Sequence, residues 1–96
     1  MNVTIAEPLE IALRNSSEDN RRRVGAWIDS LKRWDTDPYI KEHSKKLEGD
    51  DNIYMLITSS DIRLFFAVEK DEITVLEAAK RSTILRSKLN SGATER

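Results

Sequence analysis

Apolar residues recur along the chain with two distinct periods. Val24, Trp27, Ile28, Leu31 and Trp34 follow the i, i+3, i+4, i+7, i+10 spacing of one buried helical stripe, with Arg21, Arg22, Asp29, Lys32 and Arg33 opposite it. Upstream, Pro8 suits a first helical turn, where its missing N–H has no partner to lose, and Leu9, Ala12 and Leu13 form a stripe that predicts a short helix to about Asn15. Ser16-Ser17 breaks it, and either serine can cap the next helix. Asp35-Thr36-Asp37-Pro38 ends that second helix, because the residue before proline is pushed out of the helical region. A further turn or two of helix is expected over Tyr39 to Lys45.

The second half switches to strand patterns. Gly49-Asp50-Asp51-Asn52 is a turn by composition. Ile53–Ile57, Ile62–Val68 and Ile73–Ala78 follow, joined by short polar connections that suit hairpins. They predict an antiparallel three-strand meander. Glu77-Ala78-Ala79-Lys80-Arg81 is rich in helix formers, so the last strand is open to an early hand-over to helix. Ser82 is placed to cap a short final helix carrying Ile84, Leu85 and Leu89. With Val3-Thr4-Ile5 as an N-terminal strand, the expected fold class is α+β. The two helices pack on one face of the meander, and the other face has only the short C-terminal helix to cover it. A concave site is expected on that open face. Residues 1–90 form one expected domain, and 91–96 a disordered tail.

Composition narrows the chemistry. The 96 residues suffice for one core, and 39% apolar with 34% charged residues is an ordinary globular balance. Without cysteine, no disulfide, thiol nucleophile or cysteine metal site can form. The first residues lack the basic and apolar regions of a signal peptide, and no stretch is long enough to span a membrane, so a cytoplasmic setting is expected. No phosphate loop, nucleophile elbow or metal-ligand cluster is present, and no cofactor is expected. The net charge of -1 hides a segregation: residues 14–46 hold nine basic and six acidic side chains, residues 47–79 two basic and eight acidic, and residues 80–96 five basic and one acidic. Basic groups gathered this way suit an anionic ligand, or simply solvated helix faces.

Arg63 stands alone inside Ile62-Arg63-Leu64-Phe65-Phe66-Ala67-Val68. Burying an unpaired guanidinium costs several kcal/mol, so it needs a partner, solvent or a ligand's negative charge. Strand alternation sets Arg63, Phe65 and Ala67 on one face and Ile62, Leu64, Phe66 and Val68 on the other. The second set is uniformly apolar and should meet the helices, which leaves Arg63 on the open face. There it could pair with Glu77, or meet Lys80 and Arg81 from the neighbouring strand end, with Lys45 and Lys46 approaching the same region. Tyr54 is expected to pack with its hydroxyl at the rim. Trp27 belongs to the core, and Trp34 to its edge or to a docking surface. His43 is the only histidine, hence the one ready neutral-pH base, on a turn expected to be exposed.

The ordered set Ser44-Lys45-Lys46-Leu47-Glu48-Gly49, Ile53-Tyr54, Asp61-Ile62-Arg63-Leu64-Phe65-Phe66, Ile73-Thr74-Val75-Leu76 and Lys80-Arg81 resembles the RelE/ParE superfamily of bacterial toxins, the toxin halves of type II toxin–antitoxin pairs. The likeness extends over roughly residues 3–85. It implies a cognate antitoxin and, for RelE-like members, metal-independent cleavage of messenger RNA in the ribosomal A site by attack of the 2'-OH on the adjacent phosphate. Arg63 and Arg81 match the family's arginines and would stabilise the phosphorane as catalytic residues. Lys45, Lys46, Lys80 and Tyr54 would bind the substrate. Two alternating lysines of RelE read Met55 and Ile57 here, and its C-terminal tyrosine falls at Ser87, so both familiar proton-transfer groups are missing. A pI near 5.8 is low for an RNA-binding nuclease. Three functions therefore stay open: a RelE-like mRNA interferase, a ParE-like DNA gyrase inhibitor acting by binding, and a non-toxic relative that only binds an antitoxin.

Overall fold

In the computed structural model, which describes residues 1–49 and 52–80, a five-stranded mixed sheet carries its helices on one face. The order is β1 (Asn2–Ile5), α1 (Glu7–Arg14), α2 (Glu18–Ser30), a 3-10 turn (Leu31–Arg33), α3 (Pro38–Glu42), β2 (Ser44–Lys46), β3 (Ile53–Ile57), β4 (Ile62–Glu69) and β5 (Glu72–Lys80). Across the sheet the strands run β1-β5-β4-β3-β2, with β1 parallel to β5 and every other pair antiparallel. The predicted final helix at Ser82–Leu89 and the tail at 91–96 lie outside the described residues.

Local chemistry explains the helix bounds. Pro8 occupies the first turn of α1, with Glu7 and Glu10 at its positive end and Arg14 at its negative end. Ser17, the second of the two candidate caps, starts α2: its Oγ accepts the Asn20 N–H at 3.1 Å. Replacing Ser17 by alanine is expected to lower stability by about 1 kcal/mol, seen as a lower urea midpoint at unchanged slope. Asp37 caps α3 by accepting the Tyr39 N–H at 3.0 Å, directly before Pro38. On the outer side of α2, the Asp29 carboxyl is held below its ordinary pKa by the hydrogen bond and charge of Lys32, 2.9 Å away.

The core is where the two periods meet. Val24, Ile28 and Leu31 of the helical stripe are buried together with Leu9 and Ile40 against Leu56, Ile62, Leu64, Phe66, Ile73 and Val75 of the sheet. Trp27 and Trp34 pack at its margin. Trp34 meets Tyr54 edge-on at 5.4 Å, and Tyr54 stacks on Phe66 at 5.8 Å.

Two expectations change. The segment after α3 does not stay helical: Ser44–Lys46 pairs with Tyr54–Leu56 as an edge strand. Three polar residues carry no alternation signal, yet serine and lysine are what an exposed sheet edge favours. Gly49, at φ 86, supplies the left-handed position of the turn that follows. The second change concerns Glu77–Lys80, which remain strand despite their helix propensity because they ladder onto Ile62–Phe65. Tertiary pairing outweighs a preference of a few tenths of a kcal/mol per residue.

Candidate functional site

The site is built on the turn between β3 and β4, Thr58-Ser59-Ser60-Asp61. Thr58 is buried, and its hydroxyl donates to the Ile62 carbonyl at 2.8 Å while accepting the Ser60 N–H at 3.2 Å. Ser60 Oγ in turn accepts the Ile62 N–H at 3.2 Å. These bonds hold the turn's carbonyl groups around one point, and Arg63 fills it. Its Nη1 lies 3.0 Å from the Ser60 and Ile62 carbonyls and 3.4 Å from that of Thr58.

Arg63 is thus half-buried on the open face, as alternation predicts, and its charge is partly solvated by backbone dipoles. The pairing with Glu77 is not formed: among the described residues Arg63 makes no ion pair, and its Nε and Nη2 have no acceptor. A guanidinium has five N–H groups in a planar fork. One nitrogen anchors this fork to the turn, and the edge formed by the other two matches the spacing of two phosphate or carboxylate oxygens.

Register sorts the remaining candidates by face. Arg63 stands opposite Ile57 on one side and Ala79 on the other. The next row on the open face runs Lys45, Met55, Phe65, Glu77. Lys45 therefore shares Arg63's face, two strands away and one row along, a Cα separation of about 12 Å from strand spacing and rise. Lys46 and Tyr54 sit opposite each other in the alternate row, and Tyr54 is spent on the aromatic packing against Trp34 and Phe66. Lys46 is exposed on that helix side. Neither is brought to Arg63.

Lys80 is also separated from Arg63, for a specific reason. Phe66 pairs with Val75 but Phe65 pairs with Glu77, so Leu76 is an extra residue in β5. This β-bulge reverses the alternation that follows it. Glu77 and Ala79 turn to the open face, while Lys80 stands opposite Ile62 on the helix side. There it lies at the rim, with Asn20, of an apolar cavity of about 180 Å³ lined by Leu9, Leu13, Val24 and Ala78. Unbroken alternation, assumed from sequence, would have put Lys80 beside Arg63. Arg81 lies outside the described residues.

His43 ends α3 and is more enclosed than its sequence neighbourhood suggests. Its ring stacks on Tyr39 with centroids 4.1 Å apart, and Lys41 lies over the Trp34 ring at 4.9 Å. The signal for the stack, an aromatic residue four positions before the histidine, was present in the sequence.

No family model and no curated protein matches the chain. Solved structures do. RelE in the RelB–RelE complex of Methanococcus jannaschii superposes with a TM-score of 0.62 at 20% identity, covering 85% of this chain and 94% of that one. The isolated Escherichia coli RelE toxin gives 0.61 at 18% identity, with 94% and 96% covered. The intact E. coli RelBE complex gives 0.60 at 21% identity, with 82% and 94% covered. With nearly the whole of each partner superposed, the α+β arrangement built above is the fold of the RelE toxins.

Proposed function

We propose that this chain is the toxin of a type II toxin–antitoxin pair and acts in the cytoplasm by cleaving messenger RNA on the ribosome. The observation that carries this reading is Arg63: a guanidinium on the face of a RelE-type sheet opposite the helices, anchored through Nη1 and, among the described residues, with its Nε–Nη2 edge unengaged. Such an edge binds two oxygens of one phosphate and strengthens its hold as negative charge grows in the phosphorane. Arg81 is proposed as a second cation and Lys45 as a contact to the RNA backbone. Lys46 and Lys80 would act only through strand segments that wrap round the sheet edge.

The partner is proposed to be an antitoxin, because the similar RelE chains are described in complex with RelB. A segment carrying acidic and apolar residues would fit the open face, where Met55, Ile57 and Phe65 surround Arg63. That same apolar setting favours gyrase inhibition by binding as the second reading, since Met55 and Ile57 move no protons. Inducing the chain alone is expected to arrest growth with truncated messages, and co-inducing an adjacent antitoxin gene to relieve it. DNA damage with intact messages would select the second reading. Normal growth at high levels of folded protein would leave only antitoxin binding.

A further inference from the structure

Cleavage by the 2'-OH needs a group to take its proton, and the open face lacks one at Met55 and Ile57. We propose that His43 is the general base of this chain, an assignment that rests on the ribonuclease reading above.

Three observations place it. The first is register. β2 pairs with β3 from Ser44 opposite Leu56, and the Ile57 N–H donates to the carbonyl of His43, the C-cap residue of α3, at 2.8 Å. Ile57 is in turn the partner of Arg63. That backbone bond ties the end of α3 to the Ile57–Arg63 pair, which sets His43 and Arg63 about 10 Å apart at Cα from the strand spacing. The Arg63 guanidinium leans onto the carbonyl of Thr58, the residue after Ile57, and so lies at the same end of the sheet as His43.

The second observation is the tautomer. His43 Nδ1 lies 2.7 Å from the Tyr39 carbonyl oxygen. A carbonyl oxygen can only accept, so in the neutral ring Nδ1 carries the hydrogen and the lone pair is on Nε2. A backbone carbonyl holding Nδ1–H is the usual way a basic imidazole is oriented. The third is rigidity: the Tyr39 ring, inclined by 27° to the imidazole, holds it from one side. Tyr39 itself is 45% exposed, which leaves room for an incoming nucleotide.

In the proposed step the ribose 2'-OH gives its proton to His43 Nε2 as its oxygen bonds to phosphorus. The P–O5' bond breaks with its electron pair on O5', which takes a proton from water. The imidazolium returns its proton to the hydroxide so formed, leaving a 2',3'-cyclic phosphate and a 5'-hydroxyl. Arg63 holds the non-bridging oxygens throughout.

Among the described residues, the carboxylates near Arg63 that compete as base are Asp61 in the turn and Glu77 on the open face. A carboxylate is ordinarily a far weaker base than imidazole near neutrality, and its negative charge opposes an approaching phosphate. The test is the cleavage rate of a short message on programmed ribosomes, with purified wild-type chain and variants. His43→Ala is expected to lower the rate by about 10²–10⁴-fold, and free imidazole to restore part of it. His43→Asn keeps a donor for the Tyr39 carbonyl but has no base, and is expected to lose as much without imidazole rescue. Glu77→Gln is expected to cleave like wild type. Equal rates for wild type and both His43 variants would overturn the role of His43 while leaving the nuclease reading intact. A loss in Glu77→Gln or Asp61→Asn with His43→Asn unaffected would move the role to that carboxylate. No cleavage by the wild type would overturn both readings.

Discussion

Arg63→Lys is expected to lower message cleavage by about 10²–10³-fold, the usual loss when one preorganised donor to a developing oxyanion is removed. Lysine keeps the charge but not the fork, so it cannot hold the turn through one nitrogen and two phosphate oxygens through the others. In the proposed role Arg63 has both tasks, since its Nη1 already meets the carbonyls of Thr58, Ser60 and Ile62. Arg63→Ala is therefore a poorer experiment. It would remove the same phosphate contact and also leave turn carbonyls short of a donor, at about 1–3 kcal/mol. Comparing the two variants separates chemistry from folding. The lysine variant should keep the wild-type urea midpoint and lose activity, while the alanine variant loses both. A lysine variant within about threefold of wild type would mean that charge alone, or no phosphate contact at all, explains Arg63.

The largest effect on stability is expected from Phe66→Ala, at about 3–5 kcal/mol. Phe66 is fully buried at the centre of β4, pairing with Tyr54 on one side and Val75 on the other. Its ring also supports Tyr54, which in turn meets Trp34 across the sheet–helix interface. Removing it leaves a cavity under an aromatic chain that cannot close without moving the helix layer. A domain of ordinary stability has only about 5–15 kcal/mol in total, so the variant should unfold at much lower urea. Tyr54→Phe should be nearly neutral, because the packing lies in the ring. A Phe66→Ala loss below about 1 kcal/mol would show that the core is less tightly packed than the burial of Phe66 implies.

Alternation and helical spacing were enough to find most of the architecture. The stripe from Val24 to Trp34 and the apolar set Ile62, Leu64 and Phe66 meet as their periods require. Arg63 lies on the open face for the same reason. What the periods could not reveal were events only one residue long. The bulge at Leu76 leaves no mark in composition, yet it carries Lys80 to the helix side and brings Glu77 to the open face. The edge strand Ser44–Lys46 is too short to show a period, although with the Ile57–His43 backbone bond it brings the end of α3 beside the Ile57–Arg63 pair. The turn-holding role of Arg63 was hidden as well. Thr58-Ser59-Ser60-Asp61 reads as a polar connection, and only folding points its carbonyl groups inward.

The family resemblance carried the functional reading further than these residues could alone, because it named a phosphate for Arg63 to hold. The direct measurement is cleavage of a defined message on programmed ribosomes by the purified chain, with products resolved at single-nucleotide length. The expected result is cuts at the A-site codon, fragments ending in a 2',3'-cyclic phosphate, and their loss with Arg63→Lys. An intact message under the same conditions, with ribosomes competent for a known interferase, would contradict it.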